Sequence, residues 1–157
     1  MKKNRQPLSE SVEDYLEAIG ELMAVEGHAH TKKIAARLGV TMPSVTVALR
    51  RLAKGGFIRY NTNQPVELTD EGMVIAQRVM RRHRVLSAFF TGVLGVSEEK
   101  AEMAACHLEH AVDDETVGRF AALNARLGSD GGARSAKKQP AGHGKVGGRS
   151  RRPRRGP

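Results

Sequence analysis

The sequence predicts a mainly α-helical fold. Three observations carry that expectation: apolar residues recur at helical spacing through most of the first 128 residues, the early helical stretches stop at glycine, and one two-stranded hairpin pattern interrupts them. The first helix runs from Ser9 to about Ala24, with Val12, Tyr15, Leu16, Ile19, Leu22 and Met23 on its apolar face. Ser11 and Asp14 read as a capping pair at its start, and Gly27 ends it. Thr31 reads as the N-cap of a short helix from Lys32 to Leu38, stopped by Gly39. Thr41 caps the next helix, which has Pro43 in its first turn, Val45, Leu49 and Leu52 as its buried stripe, and Gly55-Gly56 at its close.

Phe57-Ile58-Arg59-Tyr60 reads as a short strand, Asn61 to Pro65 as a turn, and Val66-Glu67-Leu68 as the return strand. Thr69-Asp70-Glu71 opens a long helix through about Thr91. Ser97-Glu98-Glu99 opens another, from about Glu98 to Val112, and Asp113-Asp114-Glu115 a last one ending near Gly128. There is no internal repeat.

Helix, short helix, glycine turn, helix and hairpin, in that order, make a winged helix-turn-helix. Ala35 is small where the two helices cross, Gly39 permits the tight turn, and Val40 can plug the core between them. The second of these helices would lie in a DNA major groove with its N-terminal residues on base edges. Thr41, Pro43, Ser44 and Val47 are the candidates for that contact, Val47 through a thymine methyl. Arg50, Arg51 and Lys54 suit phosphates, which position a protein without reading sequence. A winged helix can also bind protein, and a helical hairpin without a DNA role is the plainer alternative.

The charge is unevenly spread. Of 26 Lys/Arg and 17 Asp/Glu, nine bases and one acid fall in 129–157, so the body is nearly neutral. That segment is rich in Gly, Arg, Lys, Ser and Pro and holds too little apolar surface to offset chain entropy, so no packed structure is expected there. It reads either as a non-specific DNA tether or as a dispensable extension. A lone cysteine allows no internal disulfide and fits a reducing cytosol. No apolar run is long enough to span a bilayer, and no apolar core follows Met1-Lys2-Lys3, so a membrane or secretory role is not expected. The absence of Trp argues against a stacking platform for single strands.

The cysteine lies in Cys106-His107-Leu108-Glu109-His110. On a helix, Cys106, Glu109 and His110 at i, i+3 and i+4 share a face, and thiolate, carboxylate and imidazole together suit a first-row transition metal. The same residues also read as an ordinary helix with a small buried cysteine. His107 points away and reads as surface. Asp14 and Glu17 share a side of the first helix, and His83 stands in Arg81-Arg82-His83-Arg84; each has an ordinary surface reading taken alone.

Taken together, Ser11-Val12-Glu13-Asp14-Tyr15-Leu16-Glu17, the helix-turn-helix, Arg82-His83-Arg84 and Ala105-Cys106-His107-Leu108-Glu109-His110 resemble the diphtheria-toxin-repressor and manganese-transport-regulator family, over about Leu8 to Leu127. The resemblance implies a winged helix-turn-helix DNA-binding domain over 8–76, an α-helical metal-binding and dimerisation domain over 77–128, and a homodimer on an operator in double-stranded DNA. It implies Asp14, Glu17, His83, Cys106, Glu109 and His110 as metal ligands. Iron-type members carry Met where Asp14 stands and Cys where Cys106 stands. Manganese-type members match Asp14 and Glu17 but carry a metal-bridging Glu where Cys106 stands. Hard oxygen donors favour Mn(II) and a thiolate favours Fe(II) or zinc. The second, ancillary site of iron-type members aligns near Ser87 and Glu102 and is expected to be absent or altered. Iron-type members read bases with a Gln where Val47 stands, so a different operator is expected. They also carry an SH3-like domain, for which 129–157 is too short and too polar. Arg84 and Glu102 are candidate supports for the ligands.

The reading is a cytoplasmic, homodimeric, metal-activated repressor of metal-uptake genes that answers to Mn(II), with Fe(II) as the alternative and no small organic substrate. Metal and operator would strengthen each other's binding, and acid would oppose both. Two rivals remain: a zinc hydrolase with His83, Cys106 and His110 as ligands and Glu109 as base, and a metal-independent winged-helix regulator.

Overall fold

The computed structural model describes residues 8–131 and contains, in order, α1 (Glu10–Glu26), α2 (Thr31–Leu38), α3 (Met42–Lys54), β1 (Ile58–Arg59), β2 (Glu67–Leu68), α4 (Asp70–Gly92), α5 (Glu98–Leu108) and α6 (Asp114–Gly131). The fold is mainly α, as the periodicity predicts. The basic segment expected to lack packed structure lies outside the described residues from 132 onward.

Helices α1, α2 and α3 bury their apolar stripes in one core. Leu16, Ile19, Ile34, Val45 and Leu49 have no exposed surface there. Gly39 closes α2 in the left-handed region at φ 65°, where a side chain would be strained. Thr41 caps α3 by accepting the Ser44 N–H, as expected, and Pro43 sits in the first turn. Strands β1 and β2 pair antiparallel, Ile58 with Leu68 and Arg59 with Glu67. Ala29, between α1 and α2, bridges to Val66 and ties this wing to the head.

Several local expectations are corrected. Ser11 lies inside α1, the N-cap position belongs to Ser9, and no side chain caps that end. Asp14 faces His110 instead of the helix start. Thr31 is the first residue of α2, and the His30 carbonyl accepts the Lys33 and Ile34 N–H groups in the cap's place. Val40 is 39% exposed and plugs nothing, because Ile34, Ala35 and Val45 already fill the space between the helices. Helix α5 stops at Leu108, four residues early, and α6 runs to Gly131. The early stop has a cause on each side. Arg82 takes the Glu109 carbonyl at 3.3 Å, and Asp113 caps α6 by accepting the Thr116 N–H at 2.7 Å, so the chain must turn in between.

Helix α4 is the spine. Its start is locked to the wing: Thr69 N–H donates to the Phe57 carbonyl, and the Thr69 hydroxyl donates to the Gly56 carbonyl while accepting the Gly72 N–H. It then passes Gly20 of α1, where a Cβ would lie 3.1 Å from Ala76 Cβ, and continues against α5 and α6. Phe89 stacks edge-on against Phe120, and Asn124 donates to the Val85 carbonyl. The boundary expected between residues 76 and 77 therefore falls within a continuous helix that belongs to both halves.

The tightest point of this joint is Gly72, where a Cβ would lie 2.0 Å from the Phe57 carbonyl oxygen. Gly72→Ala is expected to force the α4 N-terminus off the wing and to lower stability by about 1–3 kcal/mol. Urea unfolding in the presence of a chelator measures this directly; an unchanged midpoint would contradict the packing described.

Candidate metal centre and nucleic-acid interface

The residues singled out in the sequence come from four elements. Asp14 and Glu17 project from α1, His83 from α4 and Cys106 from α5, while Glu109 caps the end of α5 and His110 follows it in the turn. Glu109 keeps helical backbone angles at the end of α5 and its N–H still donates to the Ala105 carbonyl, so Cys106 and Glu109 keep their helical spacing, while His110 lies in the turn that follows. Glu109 meets His83 of α4, and His110 meets Asp14 of α1.

Two groups of donors converge, one of Asp14, Glu109 and His110, the other of Glu17, His83 and Glu109. Glu109 has no exposed surface and belongs to both. Its Oε2 lies 2.8 Å from His83 Nδ1, and its Oε1 lies 3.4 Å from His110 Nε2. His110 Nε2 also lies 2.9 Å from Asp14 Oδ1. Cys106 is free, exposed and in neither group.

Buried polar atoms test whether this arrangement suits a metal. Glu109 Oε1 and His110 Nε2 are buried and have no hydrogen-bond partner. The close approach of Nε2 to Asp14 is one of charge and distance, without hydrogen-bond alignment. Orphaned buried polar atoms are costly unless something else satisfies them. Donor atoms about 3 Å apart match neighbouring ligands around an ion held at about 2.1 Å. Oxygen and imidazole donors, three of them carboxylates, fit a divalent transition-metal ion, and Asp14, Glu17, His83, Glu109 and His110 could hold one.

The electrostatics agree. Burial, then repulsion from Glu109 and Glu21, pushes the Glu17 carboxyl up to about 7. His83 is pushed up to about 9, chiefly by its hydrogen bond to Glu109, against the opposing effect of burial and with help from Glu102. His110 is opposed by burial, but Glu13, Asp14 and Glu109 together raise it. Although Cys106 is exposed as a residue, partial burial of its thiol, then the negative charge of Glu109, Asp14 and Glu17, raises it further from the thiolate form. In the metal-free protein, protons stand where a cation would supply charge.

Sequence reasoning missed Glu13 and Arg78 and only touched on Glu102. Glu102 accepts from His83 Nε2 at 2.7 Å and from the Ser87 hydroxyl at 2.7 Å, so the pair expected to mark an altered second site is joined to the first. Glu13 is buried against His110 and Arg78. Its signal in the sequence is an acid inside the apolar stripe Glu13–Leu16–Gly20. Arg84 is exposed and contacts none of the ligands among the interactions found, whereas Arg82 is buried and pairs with Asp114. His107 is exposed, as expected.

On the head, Thr41, Pro43, Ser44, Arg50 and Arg51 are exposed and Val47 is 48% exposed, all along one side of α3. Thr41 and Ser44 share a hydroxyl contact of 2.8 Å, so Thr41 is partly committed to its own helix. No ion pair among the described residues occupies Arg50, Arg51 or Lys54, which leaves a basic edge beside an apolar and hydroxyl tip. No helix among the described residues is long and apolar enough to cross a membrane.

A winged reading head whose own first helix supplies part of a donor cluster defines a metal-responsive DNA-binding regulator. Comparison with known proteins agrees. Residues 7–66 match the family model for the iron dependent repressor N-terminal DNA binding domain, and residues 69–131 match its metal binding and dimerisation domain. Transcriptional regulator MntR of Salmonella typhimurium is 41% identical over 120 residues, 76% of each chain. The diphtheria toxin repressor of Corynebacterium efficiens is 33% identical over 72% of this chain and 49% of its own. A solved manganese-dependent transcriptional repressor in complex with manganese superposes with a TM-score of 0.65 at 33% identity, over 74% of this chain and 52% of that one. IdeR of T. acidophilum superposes with a TM-score of 0.66 at 26% identity, over 77% of this chain and 56% of that one. This chain thus spans about half the length of those solved structures. The protein belongs to the iron-dependent repressor family and is a metal-dependent, DNA-binding transcriptional repressor. Membership removes both the hydrolase and the metal-independent reading.

The raised groups set a pH dependence. His83 is raised in the fold, so its contribution to stability is complete below the ordinary histidine value of about 6.5 and is lost as pH rises through about 9. Glu17, also raised, loses stability as pH rises from the ordinary carboxylate range through about 7. The chelator-treated protein should therefore melt at progressively lower temperature from about pH 5 to pH 9. Metal affinity should climb over the same range, because the protons leave the donors. Thermal unfolding with and without Mn(II) across this range checks both signs; a metal-free protein that gains stability between neutral pH and pH 9 would contradict them.

Proposed function

We propose that the protein is a homodimeric, cytoplasmic repressor of metal-uptake genes that responds to Mn(II). Asp14, Glu17, His83, Glu109 and His110 are the ligands, with Cys106 a peripheral sixth. Residues 8–76 form the reading head and 77–128 the metal-binding and dimerisation half. The observation that carries the metal assignment is that the converging donors are carboxylates and imidazoles, while the one soft donor stays outside both groups. The manganese named for a solved relative supports it.

Glu109 is shared by both donor groups and so is the residue common to the whole site. Bound there, the metal supplies the positive charge that the clustered carboxylates lack. The chain's residues do the rest. Asp14 and Glu17 carry the state of the cluster to α1, which packs against α2 of the head. Glu102 and Ser87 hold the far side of the His83 ring. Exposed apolar side chains on the last helices, Met103 (56%), Leu108 (39%) and Leu127 (42%), favour burial against a second copy. Metal and operator then strengthen each other only to the extent that each prefers the same arrangement of head and dimer.

Fe(II) is the second reading, because the Cys106 thiol lies close enough to feel the charges of Asp14, Glu17 and Glu109. Operator binding measured anaerobically with Mn(II), Fe(II), Zn(II) and Co(II) separates the two. Glu109→Ala should weaken Mn(II)-activated operator binding by more than about 100-fold, roughly 2.7 kcal/mol. Cys106→Ala should change it by less than about threefold. Loss of Mn(II) activation in Cys106→Ala would count against the manganese assignment, and equal operator affinity with and without every metal would sink the sensor itself.

On the DNA side, Arg51→Ala should lower the slope of log affinity against log salt by about one. Val47→Ala should leave that slope unchanged and alter the preference among operator variants instead. Fluorescence anisotropy over a salt series reads both effects; a Val47→Ala variant that weakens all sequences equally would remove it from base readout.

A further inference from the structure

Among the described residues, Glu13 is the one buried acid beside the centre that belongs to neither converging donor group. Its Oε2 lies 2.9 Å from His110 Nδ1. Its Oε1 accepts from Arg78 at 3.0 Å. The three side chains arrive from α1, from the turn after α5 and from α4. Both carboxylate oxygens are therefore engaged on the side of the imidazole that faces away from Asp14 and Glu109. The opposite ring nitrogen, Nε2, is the orphaned atom 2.9 Å from Asp14 Oδ1 and 3.4 Å from Glu109 Oε1.

A neutral imidazole offers a lone pair on one nitrogen only when the other carries the proton, and a carboxylate accepting that N–H decides which. Glu13 meets Nδ1, so Nε2 is left free to coordinate. Arg78 donates to the other Glu13 oxygen and holds its orientation. Simple pairing with Arg78 explains neither the burial nor the second contact, since the half-exposed arginine could find its partner in water at lower cost.

We propose that Glu13, held by Arg78, is a positioning residue of the metal centre that fixes His110 as an Nε2 donor and so strengthens binding of a divalent transition-metal ion. This rests on the assignment of His110 as a ligand. Glu13 acts through the ring and does not touch the ion.

The test compares full-length wild type with Glu13→Met, Glu13→Gln, Arg78→Met and His110→Ala. Mn(II) affinity is read from the electron paramagnetic resonance signal of free Mn(II), and the His110 tautomer from ¹⁵N NMR of the Zn(II)-loaded protein. Glu13→Met, which cannot accept the N–H, should bind Mn(II) about 10–100-fold more weakly and lose the single Nδ1–H, Nε2-metal pattern. Glu13→Gln, which still accepts through its amide oxygen, should keep that pattern with a smaller loss of affinity, and Arg78→Met should fall between the two. Wild-type affinity and tautomer in Glu13→Met overturn the proposal. So does weakened binding with an unchanged tautomer and a matching fall in metal-free melting temperature, which marks a purely structural role. If Glu13→Met does not fold, wild-type affinity in both Glu13→Gln and Arg78→Met overturns it equally. Unchanged affinity in His110→Ala removes the ligand assignment and the proposal with it, whereas loss in His110→Ala beside wild-type behaviour in the Glu13 variants removes the proposal alone.

Discussion

A carboxylate with no exposed surface must be matched by positive charge, and Glu109 is that carboxylate. Burying it unpaired would cost several kcal/mol. Its backbone is held by Arg82, which itself pairs with Asp114, and its side chain meets His83. Each of these contacts crosses between elements. Together they explain why α5 stops where it does, why α6 begins five residues beyond Glu109, and why α4 carries Arg82 and His83 side by side. The corner between α5 and α6 is built around one acid.

That acid is not satisfied by protein alone. Asp14, Glu17 and Glu109 put three carboxylates near two imidazoles, and the raised Glu17 and His83 show the cluster drawing in protons to reduce its repulsion. A divalent cation does the same with greater charge and at defined distances. The metal-free protein is therefore a folded but electrostatically compromised state. The same side chains that weaken it with rising pH are the ones whose deprotonation favours metal, so proton and metal compete for one job.

How this reaches DNA follows from where the donors are mounted. Helix α1 contributes Leu16 and Ile19 to the core of the reading head and Asp14 and Glu17 to the cluster. Helix α4 begins on the wing and ends against α6. Any change in the cluster acts on two helices that already belong to the head, so no separate relay is needed. Coupling of this kind is limited by the stiffness of the α1–α4 contact, which Gly20 brings to close range.

Much of this was legible in the sequence, for identifiable reasons. Helices with strong apolar periodicity, the Thr41 cap and the Gly39 stop depend on local chemistry and appear where expected. The failures are tertiary. Asp113 marks where α6 opens, but the other cause of the α5 stop is Arg82, 27 positions away from the carbonyl it takes, which nothing near Leu108 reveals. Reading Cys106, Glu109 and His110 as one three-donor face made the cysteine look central. In the structure Glu109 and His110 converge with Asp14, Glu17 and His83 brought by α1 and α4, and the exposed thiol lies in neither donor group. Glu13 was hidden for the converse reason: beside the obvious Asp14 and Glu17 it reads as one more acid on a helix, and only its register with Leu16 and Gly20 marks it as buried.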